Sequence, residues 1–161
     1  MIGCKSALQD LRTRPRIDDL EQYSRRNCLI VHGIEEKQNE NTDDIIVDLI
    51  QNKLKTDVKK EEIARTHRLG KRNQRGEGKP RPIITRFISY RQRKKVFDSK
   101  KQLKGLKLLV TENLTKKRYS LLQKCFDRYG KKCVWSLDGR IFCKEGDDVL
   151  VFTNEEDFAA T

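Results

Sequence analysis

The 161-residue chain has no apolar run near the ~18 residues that crossing a bilayer as a helix requires. Its first ten residues, MIGCKSALQD, contain no secretory hydrophobic stretch, so an intracellular protein is expected. Histidine is scarce: only His32 and His67 are present. The five cysteines (Cys4, Cys28, Cys125, Cys133, Cys143) are odd in number and form no CxxC. A zinc site or a disulfide framework is therefore not expected, and the thiols read as reduced core or strand residues. Gly76 and Gly78 are not followed by Gly-Lys-Ser/Thr, so no phosphate-binding P-loop exists. No Ser/His/Asp or Cys/His set stands out. Asp43 with Asp44, and Asp147 with Asp148, have the look of paired carboxylates for metal-assisted chemistry. The first pair falls in the opening turn of an expected helix and the second beside a glycine, so capping and turn formation account for both. No enzyme and no cofactor is expected.

What the chain has in quantity is positive charge, and it is segregated. Residues 65–133 hold 23 Lys/Arg against 4 Asp/Glu; the remainder holds 13 Lys/Arg and 20 Asp/Glu, so it is net acidic. Charge carried only for solubility has no reason to divide in this way. A concentrated cationic field gathers a polyanion, and nucleic acid is the usual one.

Three parts follow from pattern. Residues 1–26 are charged, with Leu8, Leu11, Ile17 and Leu20 as apolar positions and Pro15 interrupting any continuous helix. Ile17, Leu20 and Tyr23 suit the last turns of a helix; a frayed terminus suits the segment equally well. Residues 27–112 alternate strand and helix signals. CLIVHGI (28–34) reads as a strand, and NTDDIIVDLIQNKLK (41–55) as a helix capped by Asn41 or Thr42 with acids in its first turn. EEIARTHRLG (61–70) reads as a short edge strand and KRNQRGEGKPRP (71–82) as a mobile basic loop. PIITRFI (82–88) is a strand. Ser89 with Gln92 makes a capping-box pattern for a helix that runs to Gly105. LKLLVT (106–111) is a final strand. In residues 113–161, Thr115 caps a helix that ends at Gly130. CVWSL-DG-RIFCK (133–144) is a hairpin turned by Asp-Gly, and VLVFT (149–153) a third strand. Trp135 on the hairpin is expected in the core.

The fold expected is α+β: an RNA-recognition-motif-like (ferredoxin-like) βαββαβ domain over 27–112, then a small module over 113–161 with a helix and a hairpin or three-stranded sheet. Sheets of the first kind normally stack bases on aromatic side chains. Here alternation puts Leu29, Val31, Ile83, Thr85 and Phe87 inward, and Cys28, Ile30, His32, Pro82, Ile84 and Arg86 outward. The usual stacking positions are thus aliphatic, and binding has to rest on arginine and lysine contacts to phosphate and on both modules gripping one strand. His32 on the open face and His67 beside Arg68 suit a base or phosphate contact and suit a structural role as well.

The segments YSRRNCLIVHGIEE (23–36), IARTHRLGK (63–71), KPRPIITRF (79–87) and LKGLKLLVTENLT (103–115), with the helix that follows, resemble the protein of the first open reading frame of LINE-type non-LTR retrotransposons. The resemblance covers residues ~20–158 in order and implies an RRM-like domain, a C-terminal domain and a role in coating and chaperoning the element's RNA. Carried over, it implies nucleic-acid contacts by Arg65, Arg68, Arg81, Arg91 and Arg93, with Arg86 outward on the sheet, and by Lys117, Arg118, Lys124 and Arg128 of the last helix. Arg68, near a glycine at a strand end, and Arg81, between two prolines, should be surface groups dispensable for folding. The implied partner is single-stranded RNA, with single-stranded DNA second, in a cytoplasmic ribonucleoprotein that also reaches the nucleus. No membrane is implied. The family's trimeric coiled coil finds at most a stub in residues 1–26, so a homotrimer is expected only with a coiled coil upstream. A protein-interaction module using the same sheet without nucleic acid is the alternative.

Overall fold

The computed structural model describes residues 17–72 and 78–161. Leu8, Leu11 and Pro15, and the middle of the 71–82 loop, lie outside the described residues. The chain is mixed α+β and divides into two compact units, residues 27–111 and residues 112–161 together with 17–26.

The first unit runs β1 (Cys28–His32), α2 (Thr42–Asp48), β2 (Ile63–Arg68), β3 (Ile83–Phe87), α3 (Tyr90–Asp98) and β4 (Leu109–Glu112), following α1 (17–24) of the other unit. The sheet order is β2-β3-β1-β4, with β3 antiparallel to both β1 and β2. Leu29, Val31, Ile83, Phe87 and Val110 form one wall of the core, and Ile46, Leu49, Ile50, Val96 and Phe97 of the helical layer form the other. Asn41 caps α2 by accepting from Asp44 N–H at 3.2 Å. The helix then widens over Leu49–Lys53, where Leu54 N–H reaches back to Leu49 O at 3.0 Å, a wide turn that lets Leu54 and Val58 join the core. Gly33 ends β1 at φ +96°, and a Cβ there would lie 2.0 Å from Lys107 O; only glycine allows β4's approach to pass so close.

Three expectations are adjusted here. The Ser89 hydroxyl bonds the Gln92 side-chain carbonyl and makes no cap bond to a helix N–H. Helix α3 stops at Asp98 and a tighter turn, Lys100–Leu103, follows; Ser99 Oγ donates to Val96 O at 2.8 Å and breaks the run. β4 begins at Leu109, because Leu106 N–H is drawn into a turn with Leu103 O at 2.9 Å.

In the second unit α4 (Lys116–Tyr129) packs on a sheet of order β5-β6-β7, made of β5 (Val134–Leu137), β6 (Arg140–Glu145) and β7 (Asp148–Phe152). Asp138 (φ 50°) and Gly139 (φ 76°) both have the positive φ of a tight two-residue hairpin turn. Leu121, Cys125, Val134, Ile141, Cys143 and Phe152 form its core. A short helix that the apolar pattern does not announce, α5 (Glu155–Ala159), starts on Asn154, whose side chain accepts from Asp157 N–H at 2.8 Å.

Residues 17–24 are helical and docked rather than frayed. Asp18 accepts from Thr115 Oγ1 at 2.6 Å and from Arg118 Nε at 2.9 Å. Gln22 accepts from Thr115 N–H at 2.9 Å and donates to Asn113 O at 3.1 Å. Ile17, Leu20 and Tyr23 are exposed on this helix. Among the described residues no helix is long and apolar enough to cross a membrane.

Candidate nucleic-acid interface

The inward residues of β1 and β3 settle which side chains can meet a ligand. Ile83, Thr85 and Phe87 are buried, so Ile84 and Arg86 point away from the helices. Register carries the assignment across the sheet: Arg65 pairs with Arg86, His67 with Ile84, and Ile84 with Ile30. A bulge between Ile63 and Arg65 sets this phase on β2. On β4, Val110 is buried while Leu109 is exposed, and Thr111 Oγ1 shares a hydrogen bond of 3.0 Å with His32 Nε2. The open face thus holds Arg65, His67, Ile84, Arg86, Ile30, His32, Leu109 and Thr111, none of them Phe, Tyr or Trp. Cys28 lies on this face opposite Arg86 but is covered, and Pro82 is buried at the strand entrance, where its carbonyl accepts Leu69 N–H at 2.8 Å.

Arg65 and Arg86 stand directly opposite one another and are both exposed. Among the described residues neither has a carboxylate partner. Like charges facing each other across strands are destabilising, and a planar guanidinium is the side chain best shaped for bidentate contact with phosphate. An anion between them relieves the repulsion.

The other arginines assigned from the resemblance have different surroundings. Arg68 is a strut. It grips Glu40 through Nε (2.8 Å) and Nη2 (3.0 Å), and donates to the carbonyls of Ile34 (2.7 Å), Arg81 (2.6 Å) and Glu35 (3.0 Å). Its side chain is 5% exposed, against the expectation of a dispensable surface group. Arg81 is partly covered, bonding Glu36 at 2.6 Å and Gly70 O at 2.9 Å. The hydrogen bonds from these two arginines hold Glu36 and Glu40 below the usual carboxylate range. Arg93 is 2% exposed, its guanidinium over the Phe97 ring at 4.8 Å and the Tyr90 ring at 5.4 Å. On α4, Arg118 is buried against Asp18, Asp19 (2.5 Å) and Gly139 O (2.8 Å). Lys124 is exposed and paired with Glu155 at 2.7 Å. Arg128 lies over the Phe158 ring at 3.9 Å and tethers α5. Arg91 and Lys117 are exposed without an ion pair among the described residues. Arg91 belongs to the helical layer, on the side of the sheet away from Arg65 and Arg86.

The first carboxylate pair is engaged by the protein. Asp43 accepts from Thr66 Oγ1 at 2.5 Å and Asp44 pairs with Lys60 at 2.7 Å. Among the described residues no group of three or more His, Cys, Asp or Glu is placed to hold a metal ion.

No protein-family model and no curated protein matches this chain. Its own residues carry the functional argument.

One residue assigned to the core is on the surface. Trp135 is 40% exposed and stacks on Phe142. A signal for this was present in the hairpin: a two-residue turn at Asp138-Gly139 sets Leu137 opposite Arg140, so Trp135 shares a face with a charge.

Proposed function

We propose that the chain is a low-specificity single-stranded nucleic-acid-binding protein that prefers RNA, with the first unit acting as an RRM-like sheet. The observation that carries this reading is the exposed, unneutralised pair of arginines in register, Arg65 and Arg86, on the β2-β3 side of a face whose described strand residues include no carboxylate. The charge segregation of residues 65–133 supports it. The absence of aromatics from that face favours phosphate contacts over base readout, and therefore little sequence preference. The resemblance to the LINE first-reading-frame family gives the context: a coat or chaperone component of a retrotransposon ribonucleoprotein.

The test is the salt dependence of binding to a short single-stranded RNA. With five to eight phosphates neutralised, log affinity should fall against log salt with a slope of about −3.5 to −6. Affinity that persists unchanged at high salt refutes the reading. Absence of binding at any salt leaves the sheet as a protein-interaction surface, for which exposed Leu109 and the neighbouring Ile30 and Ile84 are the apolar anchors.

A further inference from the structure

The outer face of the three-stranded sheet is a second surface of a different chemical kind. α4 covers the side carrying Val134, Ile141, Cys143 and Phe152. Register therefore turns Trp135, Leu137, Arg140, Phe142, Lys144, Val149 and Val151 the other way: Trp135 pairs with Phe142, Phe142 with Val151, Leu137 with Arg140 and Lys144 with Val149. The Trp135 and Phe142 rings lie 5.6 Å apart with planes 8° from parallel. Val149 and Val151 are about half exposed. Arg140 and Lys144 flank Phe142 along the strand, each about 7 Å away. Both are exposed and without an ion pair among the described residues. The acids of these strands, Glu145 and Asp148, fall on the opposite alternation.

A flat aromatic pair rimmed by two cations, with no carboxylate among the described strand residues of the same face, complements a ring attached to an anion. Unpaired bases present such rings, whereas a duplex keeps its base faces stacked. The geometry points to a base-stacking site on this face, with Trp135 against the base and Arg140 and Lys144 against the adjacent phosphates of a single-stranded nucleic acid. The site rests on the proposed nucleic-acid function and adds a ligand feature to it: the π-face of the base, for which the open face of the four-stranded sheet has no Phe, Tyr or Trp among the described residues.

Trp135 is the only tryptophan in the chain, so its fluorescence reports on this face alone. The full chain is titrated with a short single-stranded RNA and with an abasic strand of equal length, while anisotropy of a labelled strand measures binding independently. The RNA should quench Trp135 and the abasic strand should not. Trp135→Ala, checked for folding by circular dichroism, should lose at least about fivefold in affinity for the RNA and nothing for the abasic strand. Trp135→Phe should keep most of the affinity. If the alanine variant does not fold, quenching in the unaltered chain decides. RNA binding with unchanged fluorescence overturns the stacking site and leaves the electrostatic reading intact. No binding of either strand overturns both. Self-association that Trp135→Ala abolishes, with RNA affinity unaffected, also overturns it and makes the face a contact between copies.

Discussion

A carboxylate within reach separates the arginine struts from the arginines left open to a ligand. Arg68 has Glu40, Arg81 has Glu36 and Arg118 has Asp18 and Asp19; Arg65, Arg86 and Arg140 have none among the described residues. The consequence separates two kinds of variant. Arg65→Ala and Arg86→Ala should leave stability within about 0.5 kcal/mol, since exposed positions tolerate change. Each should weaken RNA binding roughly tenfold, the worth of a charge-assisted contact. Arg68→Ala should lower unfolding free energy by about 3 kcal/mol, because Glu40 is left covered without its partner. Urea titration with RNA anisotropy on the same samples distinguishes them; an Arg68→Ala protein of normal stability contradicts the strut. The thiols divide likewise. Burial raises the Cys125 thiol, and pushes the Cys143 thiol up to about 12, so neither forms thiolate near neutrality. Brief alkylation of the native protein followed by peptide mapping should label partly exposed Cys133 ahead of both.

Among the elements, α1 depends most on distant residues. Its apolar side chains Ile17, Leu20 and Tyr23 face outward, and the described contacts with the rest of its unit are polar. Arg118 joins three pieces at once: Asp18 and Asp19 on α1, its own helix, and Gly139 O in the hairpin turn. Gly139 is packed so closely that a Cβ would fall 2.5 Å from Gln22 Cγ. Arg118→Ala leaves Asp18 without its cation in a buried position. It should release residues 17–26 to rapid hydrogen exchange and early proteolysis, while residues 27–111 keep their protection. Equal loosening of both units is the opposite result.

For the whole molecule, the proton linkage is set by acids below their ordinary values. Glu36, Glu40 and Glu62 are held under 4.5, the first two chiefly by side-chain hydrogen bonds from Arg81 and Arg68, the third by the Lys59 backbone N–H. A carboxyl lowered in the folded state contributes stability that is complete above its unfolded value and lost as pH falls through the folded one. Melting temperature should therefore stay level from neutrality to about pH 5 and decline below about 4.5. Arg68→Ala and Arg81→Ala should each make that decline shallower. A decline of unchanged steepness in both variants refutes the linkage.

The order of the elements, the caps at Asn41 and Thr115, the Asp138-Gly139 hairpin and the inward set Leu29, Val31, Ile83, Thr85 and Phe87 were legible in the chain itself. Each rests on hydrogen bonds within a few residues or on a period of 2 or 3.6. The segregation of charge was equally open to reading. Which cations remain available was decided only in three dimensions. Arg68 meets a carboxylate 28 positions away and Arg118 one 100 positions away, and no local pattern records such a pairing. Trp135 is the exception: the Asp138-Gly139 register already set it on one face with Arg140, and α4, packing on the other side of the sheet, buries Val134.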